Sequence, residues 1–371
     1  MTPLALPDFP WDRLVPAGEV ARAHPDGIVD LSVGTPVDPT PAVVREALAA
    51  AADAPGYPLT AGTPQLRAAV QQWMSRCLGV RDLDPDAVLP TIGSKELVAW
   101  LPTLLGVGRG DTVVVPELAY PTYDVGARIA GAEVVVTDST AALGPQRVAL
   151  VWVNSPSNPT GRVLPAEHLR KVVAWARERG ALVVSDECYL ELPWTAQPVS
   201  VLHPDVCEGS HEGLLAVHSL SKRSNLAGYR FGVVAGDPAV VRRLLEVRKH
   251  AGMMVPAPVQ AAAVAAYGDD AHVVEQRARY RARRDLLHAA LTAAGFRIDH
   301  SEAGLYLWAT RDEPCWDTVG WLAERGILVA PGDFYGAAGA RHVRVALTAT
   351  DERVEAAAAR LTAAASSRSS S

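Results

Sequence analysis

From residue 88 onward, short apolar runs alternate with segments of helical period. The runs cover 88–92, 112–115, 133–137, 148–153, 181–185, 214–218 and 231–235. They are rich in valine and apolar on both faces, which fits buried strands of a mostly parallel sheet with helices on either side. Upstream, Thr40 precedes Pro41 and Thr63 precedes Pro64. Each pair reads as an N-cap followed by proline in the first helical turn, where the missing N–H costs nothing. After Pro238 the pattern changes to long Ala/Arg helices reaching Leu291, then short strands near 296–298 and 305–309, a helix near 316–325, and strands near 327–330 and 342–346. The first 40 residues, rich in Pro and Gly, read as an arm with one short strand at 28–33 that ends at Gly34. The pattern predicts a large α/β domain over 41–270, a smaller α+β domain built from 1–40 and 271–365, and an unstructured tail at 366–371.

Composition agrees with two domains, because 371 residues exceed the roughly 250–300 at which a single core stops growing. Hydrophobic residues at 49% and charged residues at 20% are values of a globular chain. A formal charge of −6 argues against a nucleic-acid-binding surface, which needs a basic field or stripe. No membrane span is expected, since the most apolar stretch, 251–267, is interrupted by Pro256, Pro258 and Gln260. The first 14 residues carry three prolines and two aspartates without a basic start or an apolar run, so no secretory signal is read there and a cytoplasmic location is expected. Cys77, Cys188, Cys207 and Cys315 are far apart and form no C-x-x-C pair; free thiols and no metal site are expected.

In open α/β sheets ligands bind beyond the carboxyl ends of the strands, so the residues just after each apolar run are the candidates. After 88–92 come Gly93, Ser94 and Lys95 and then a helix, whose N-terminal N–H groups can receive a phosphate. After 148–153 comes Asn154-Ser155-Pro156-Ser157-Asn158-Pro159-Thr160-Gly161, a loop fixed by two X-Pro bonds, one of them expected to be cis. After 181–185 comes Asp186, with Tyr189 three residues on; a carboxylate at the end of a buried strand needs a cation or a strong donor. After 214–218 comes Ser219-Leu220-Ser221-Lys222-Arg223-Ser224-Asn225, leading through Gly228-Tyr229-Arg230 into the next run. A partly desolvated lysine close to Arg230 has its pKa lowered toward roughly 7–8, where a neutral amine is available as nucleophile and base. Singly, these are a Ser-capped helix, a turn, a capping Asp and a surface lysine. Together they meet the needs of pyridoxal phosphate: a phosphate cradle, an amine for the aldehyde, and a carboxylate that keeps the pyridine nitrogen protonated.

The series Asn158-Pro159-Thr160-Gly161, Asp186-x-x-Tyr189 and Ser219-x-Ser221-Lys222 with Gly228-x-Arg230 resembles the class I/II aminotransferases of fold type I, in order and spacing from Gly34 to Arg344. The resemblance implies that Lys222 binds the aldehyde of pyridoxal 5′-phosphate and shuttles the proton. It implies that Asp186 pairs with the pyridine nitrogen, and that Asn158 and Tyr189 bind the ring's 3-oxygen. Ser94, Lys95, Ser219 and Arg230 would hold the phosphate, and Tyr120 would stack on the ring. Tyr57, in Gly56-Tyr57-Pro58, resembles the tyrosine that reaches a neighbouring subunit's phosphate, which implies a homodimer. Arg344, with Gly34 and Asn158, falls where the family clamps the substrate's α-carboxylate.

The wording of the blocks is similar to N-succinyldiaminopimelate aminotransferases of actinobacterial type, in the bacterial lysine pathway. The resemblance implies glutamate as amino donor and N-succinyl-2-amino-6-oxopimelate as acceptor, in a two-half reaction. Three carboxylates on that acceptor call for cations beyond Arg344, and Lys95, Arg223 and Arg67 are the candidates. The alternatives are another class I/II aminotransferase acting on aspartate, alanine or an aromatic acid, a pyridoxal-phosphate β-lyase, and a non-catalytic sensor that binds the cofactor.

Overall fold

The computed structural model describes residues 6–144 and 146–368, with side chains to residue 365. Thirteen strands occur among them: β1 (Val29–Asp30), β2 (Val88–Thr91), β3 (Thr112–Val115), β4 (Glu133–Val136), β5 (Val148–Asn154), β6 (Leu182–Asp186), β7 (Leu214–Ser219), β8 (Gly232–Gly236), β9 (Arg297–Asp299), β10 (Tyr306–Thr310), β11 (Ile327–Leu328), β12 (Ala330–Pro331) and β13 (Val343–Ala346). The seven apolar runs become β2 to β8 and form one sheet in the order β2-β8-β7-β6-β5-β3-β4. From β4 to β7 the pairs are parallel, joined through helices such as Ala166–Arg179; β8 runs antiparallel to both β7 and β2. The reversal follows from the short connection between β7 and β8, which has no crossover helix to carry the chain back. It also places the start of β8 at the same sheet edge as the ends of β2, β5, β6 and β7, where Arg230, Ser94, Asn154, Asp186 and Ser219 all lie.

Layers on both faces close the core. Strands β2, β3 and β8 are buried throughout, and Trp73, Trp152 and Trp308 are among the largest fully buried side chains. Strand β4 departs from the expected burial on both faces: it is the sheet edge, and Val136 is 57% exposed. A second core gathers the four-stranded antiparallel sheet β12-β13-β10-β9, the helices Ala271–Ala293 and Cys315–Ala323, and residues of the N-terminal arm such as Leu14 and Leu31. The arm strand is only β1, shorter than the 28–33 expected, and pairs in parallel with β11. Arg283 fastens the arm: its Nη atoms donate to both oxygens of Asp38 at 2.6 and 2.8 Å, and its Nε donates to Asp351 at 2.6 Å.

The last helix, Asp351–Arg368, continues through residues 366–368, part of the tail expected to be unstructured; residues 369–371 lie outside the described residues. All four cysteines are free. Among the described residues no helix is long and apolar enough to cross a membrane, and no cluster of ligating side chains could hold a metal.

Leu215, on the central strand β7, is fully buried. Leu215→Ala is expected to reduce the unfolding free energy by about 2–5 kcal/mol, seen as a lower urea midpoint.

Candidate active site

The end of β2 and the start of β8 approach so closely that only glycine fits between them. Gly93 caps the helix Ser94–Leu104 at φ +75°, and a Cβ there would run into the Arg230 guanidinium. A Cβ on Gly232 would stand 2.8 Å from the Ser94 nitrogen. The helix N-terminus, with its unpaired N–H groups and positive dipole end, therefore faces Arg230, whose Nη1 donates to the Ala227 carbonyl at 2.8 Å. Ser219 and Ser221 complete the rim, their hydroxyls 2.9 Å apart. The acidic Glu96 in the first helical turn does not spoil this anion site. Its carboxylate accepts from the Ile92 N–H at 3.1 Å and is paired bidentately with the fully buried Arg248 at 2.8 and 3.1 Å.

Asp186 closes β6 and is buried. Tyr123 Oη donates to its Oδ2 at 2.8 Å and the Cys188 N–H donates to Oδ1 at 3.2 Å. Burial raises its carboxyl above the ordinary range, and the bonds from Cys188 and Tyr123 only partly counter that. None of the ion pairs among the described residues includes Asp186. On the neighbouring strand end, Asn154 donates to the Asp186 carbonyl at 2.9 Å and accepts from the Asn158 N–H at 2.7 Å, so one amide ties the carboxylate's backbone to the proline loop. Both X-Pro bonds of that loop, Ser155–Pro156 and Asn158–Pro159, are cis, where one was expected.

Lys222 lies in a single helical turn, Leu220–Arg223, capped by the Ser219 hydroxyl. Desolvation brings its ammonium down to about 8; Arg344 and Arg230 push the same way, and the Cys188 thiol opposes them. Arg344 comes from β13 of the smaller sheet and is 3% exposed. Its Nη1 donates to Asn158 Oδ1 at 2.9 Å and its Nη2 to the Ser32 carbonyl at 2.7 Å, while Nε has no partner. Its guanidinium carbon stands 4.0 Å over the Tyr306 ring and 4.9 Å over Tyr335, and no carboxylate pairs with it among the described residues. Tyr306 Oη lies 3.2 Å from Tyr189 Oη, and its ring occupies the space a Cβ on Gly34 would need.

These groups line one cavity of about 770 Å³. From the large sheet come Ser94, Lys95, Tyr120, Asn158, Asp186 and Tyr189, then Ser219, Lys222 and Arg230; from the arm and the smaller sheet come Gly34 and Arg344. Tyr57 is not among them: it is 95% exposed. Two candidate cations are also elsewhere. Arg223 follows Lys222 on the helical turn but does not line the cavity; it meets Glu191 at 2.5 Å and packs over Trp73 and Tyr267. Arg67 donates to the Gly62 carbonyl at 3.0 Å and pairs with Asp86 at 3.2 Å.

Sequence reading missed Tyr123, Asn154, Tyr306 and the arm residues Phe9 and Trp11. Tyr123 stands one helical turn from Tyr120, and Asn154 ends the strand beside Asp186, so spacing alone held a signal for both. Tyr306 and the arm reach the cavity only through tertiary packing: Trp11 stacks near Phe334 at 5.4 Å, and Phe9 lies under the Lys95 ammonium at 5.7 Å.

The residues fit pyridoxal phosphate on their own chemistry. The cradle suits a phosphate, the amine an aldehyde, and a buried carboxylate without a cation suits a protonated ring nitrogen. A buried arginine with an orphaned Nε suits a substrate carboxylate. In the cofactor-free chain, reductive methylation of Lys222 is expected to rise with pH about a midpoint near 8, well below an ordinary lysine. Between that value and the ordinary lysine range, the unfolded chain holds the proton the folded chain has released, so this group's contribution to stability rises with pH.

Residues 26–361 match the family profile "Aminotransferase class I and II". The chain is 68% identical to a probable aminotransferase of Mycobacterium tuberculosis, covering 96% of this chain and 86% of that one. It is 64% identical to the 4-dedimethylamino-4-oxo-anhydrotetracycline transaminase OxyQ of Streptomyces rimosus, over 96% and 99%. It is 33% identical to an LL-diaminopimelate aminotransferase of Dehalococcoides mccartyi, over 92% of each. The solved aminotransferase AspB of Helicobacter pylori superposes with a TM-score of 0.88 at 26% identity, over 99% and 100%. With the profile spanning nearly its whole length, the chain belongs to the class I and II aminotransferases, pyridoxal-phosphate enzymes of fold type I.

Proposed function

We propose that this aminotransferase moves the amino group of glutamate to N-succinyl-2-amino-6-oxopimelate, giving 2-oxoglutarate and N-succinyl-LL-2,6-diaminopimelate, a step in diaminopimelate and lysine biosynthesis. The observation that carries the transfer chemistry is a pair of buried charges without counter-ions, Asp186 and Arg344, in one cavity with the depressed amine of Lys222. The acceptor rests on the LL-diaminopimelate aminotransferases among the relatives and on Lys95, the cavity-lining cation left over once Lys222, Arg230 and Arg344 are assigned. Lys95 meets a carboxylate distal to the reacting carbon. The exposed Tyr57 serves a second copy of the chain, in a homodimer with shared sites.

Bound pyridoxal phosphate supplies an aldehyde that condenses with amines and a ring that withdraws electrons from the adjacent carbon. Asp186, dry and fixed by Tyr123, holds the proton on the ring nitrogen. Ser94, the Lys95 N–H, Ser219 and Arg230 hold the phosphate, the arginine through its planar fork. Tyr120 packs on the ring, and Asn158 and Tyr189 bind its 3-oxygen. Arg344, with Asn158 and the backbone at Gly34, orients the α-carboxylate. With the cofactor bound, Lys222 Nζ would give way to the incoming amine and would then carry the proton between the substrate's α carbon and the carbon that held the aldehyde. A proton moved by a positioned amine is worth about 10²–10⁴ in rate. Donor and acceptor use the same groups in turn, which gives ping-pong kinetics.

A second reading is favoured by the 64% identity to a transaminase whose named substrate is an anhydrotetracycline ketone, and by the apolar wall of Phe9 and Trp11. On that reading the acceptor is a large, largely apolar ketone.

Two measurements decide. Lys222→Ala is expected to fold, to lose the visible absorbance gained on adding the cofactor, and to lose turnover by at least about 10²-fold; unchanged activity would remove the assignment. A panel of acceptors with glutamate as donor is expected to favour the succinylated oxopimelate. Preference for oxaloacetate or a polycyclic ketone would replace that substrate, and release of pyruvate and ammonia from an amino acid would indicate a lyase.

A further inference from the structure

Each of the two chain segments that carry the site sends some side chains to the cavity and others to the layer behind it. Asp186, Cys188 and Tyr189 line the cavity, while Glu187 and Glu191 do not; Ser219, Ser221 and Lys222 line it, while His218 and Arg223 do not. At the strand ends the division follows from strand geometry, since Asp186 and Glu187, like Ser219 and His218, are neighbours that point to opposite faces. The residues turned away find each other. His218 Nε2 lies 3.3 Å from Glu187 Oε2, and Arg223 Nε lies 2.5 Å from Glu191 Oε2. Both contacts thus join the segment after β6 to the end of β7 or the turn that follows it.

The bridges share one aromatic floor. Trp73 meets the His218 ring edge-on at 5.0 Å and the Tyr267 ring at 4.8 Å, and the Arg223 guanidinium stands 5.3 Å over each of Trp73 and Tyr267. The side chains of His218, Glu187 and Arg223 are at most 5% exposed, and that of Glu191 is 15% exposed. Ionic pairs so placed gain little over apolar side chains of similar shape, because both partners lose their hydration. What they supply is direction: each bridge fixes one segment relative to the other. Burial raises Glu187 to about 7 and lowers His218 to about 3, which disfavours charge on both members of that contact and leaves the Arg223–Glu191 bridge as the ionic one.

We propose that Arg223 and Glu191, backed by His218 and Glu187, are positioning residues that set the placement of Lys222 relative to Asp186 across the cofactor. The proposal rests on the roles given above to Lys222 and Asp186. Arg223 touches neither cofactor nor substrate; it acts through the turn it shares with Lys222.

The test uses the full-length holoenzyme with R223M, R223K and E191Q. Five quantities are read: the cofactor dissociation constant, the pH midpoint of the bound cofactor's visible band, kcat and KM for glutamate, and the thermal midpoint. R223M and E191Q are expected to weaken cofactor binding, to shift the band's midpoint, and to lower kcat about tenfold or more through misplacement of the reacting groups, while KM for glutamate stays within about twofold because Arg344 is untouched. R223K is expected to recover part of each loss. If the variants melt earlier but keep the wild-type cofactor affinity, band midpoint and kcat per folded molecule, the bridge is structural only and the proposal is overturned. E191Q, nearly isosteric, decides the question if R223M fails to fold. The outcome is separate from the assignment of Lys222: an inactive Lys222→Ala beside an unperturbed R223M overturns the bridge alone.

Discussion

Everything at the site follows from two charges buried with nothing of opposite sign beside them. Asp186 ends a central strand under the hydroxyl of Tyr123, and Arg344 sits between two tyrosine rings, its acceptors among the described residues being a carbonyl and an amide oxygen. Burying an ion without a counter-ion is expensive, and a chain retains one only where a ligand completes it. Here the missing partners are a cation facing Asp186 and an anion facing Arg344, which on the proposed roles a protonated pyridine ring and an amino acid carboxylate would supply. The same dry surroundings hold Lys222 near neutrality, so one set of conditions readies the base and sharpens both charges.

The two sheets divide this work. The large sheet delivers the cofactor side of the cavity through strand ends gathered at one edge, and the antiparallel return of β8 brings Arg230 to face the helix at Ser94. The smaller sheet delivers Arg344 and Tyr306, and the arm delivers Ser32, Gly34, Phe9 and Trp11. Arg283, on the long helix, ties the arm at Asp38 and the last helix at Asp351 to one guanidinium. Gly34 shows how tight the junction is, since the Tyr306 ring fills the place of its absent side chain.

The large sheet was legible because each of its strands is a short apolar run ending at a chemically distinctive residue, and strand ends are where such a sheet binds. Lys222, Asp186 and Arg230 were legible for that reason, helped by a family resemblance for the residues farther apart. Tyr306 and Trp11 were not, because their positions depend on how the second unit packs against the first, and nothing local in an aromatic residue tells which cavity it will line. Edge strand β4 was read as buried because its valines look like those of β3; the difference is the missing neighbour on one side.

Arg223 shows where residue type misleads. Beside a lysine at a strand end, an arginine reads as a second cation for an acidic substrate, but Arg223 stays out of the cavity and meets Glu191 behind it. With Arg223 and Arg67 both engaged elsewhere, the wall keeps Lys95 as its spare cation, set over Phe9 on the arm. A substrate with three carboxylates therefore finds, within one chain, a clamp for the reacting end at Arg344 and one further cation. On the proposed acceptor, the remaining carboxylate would face either solvent or, in the proposed homodimer, the second copy that the exposed Tyr57 would serve.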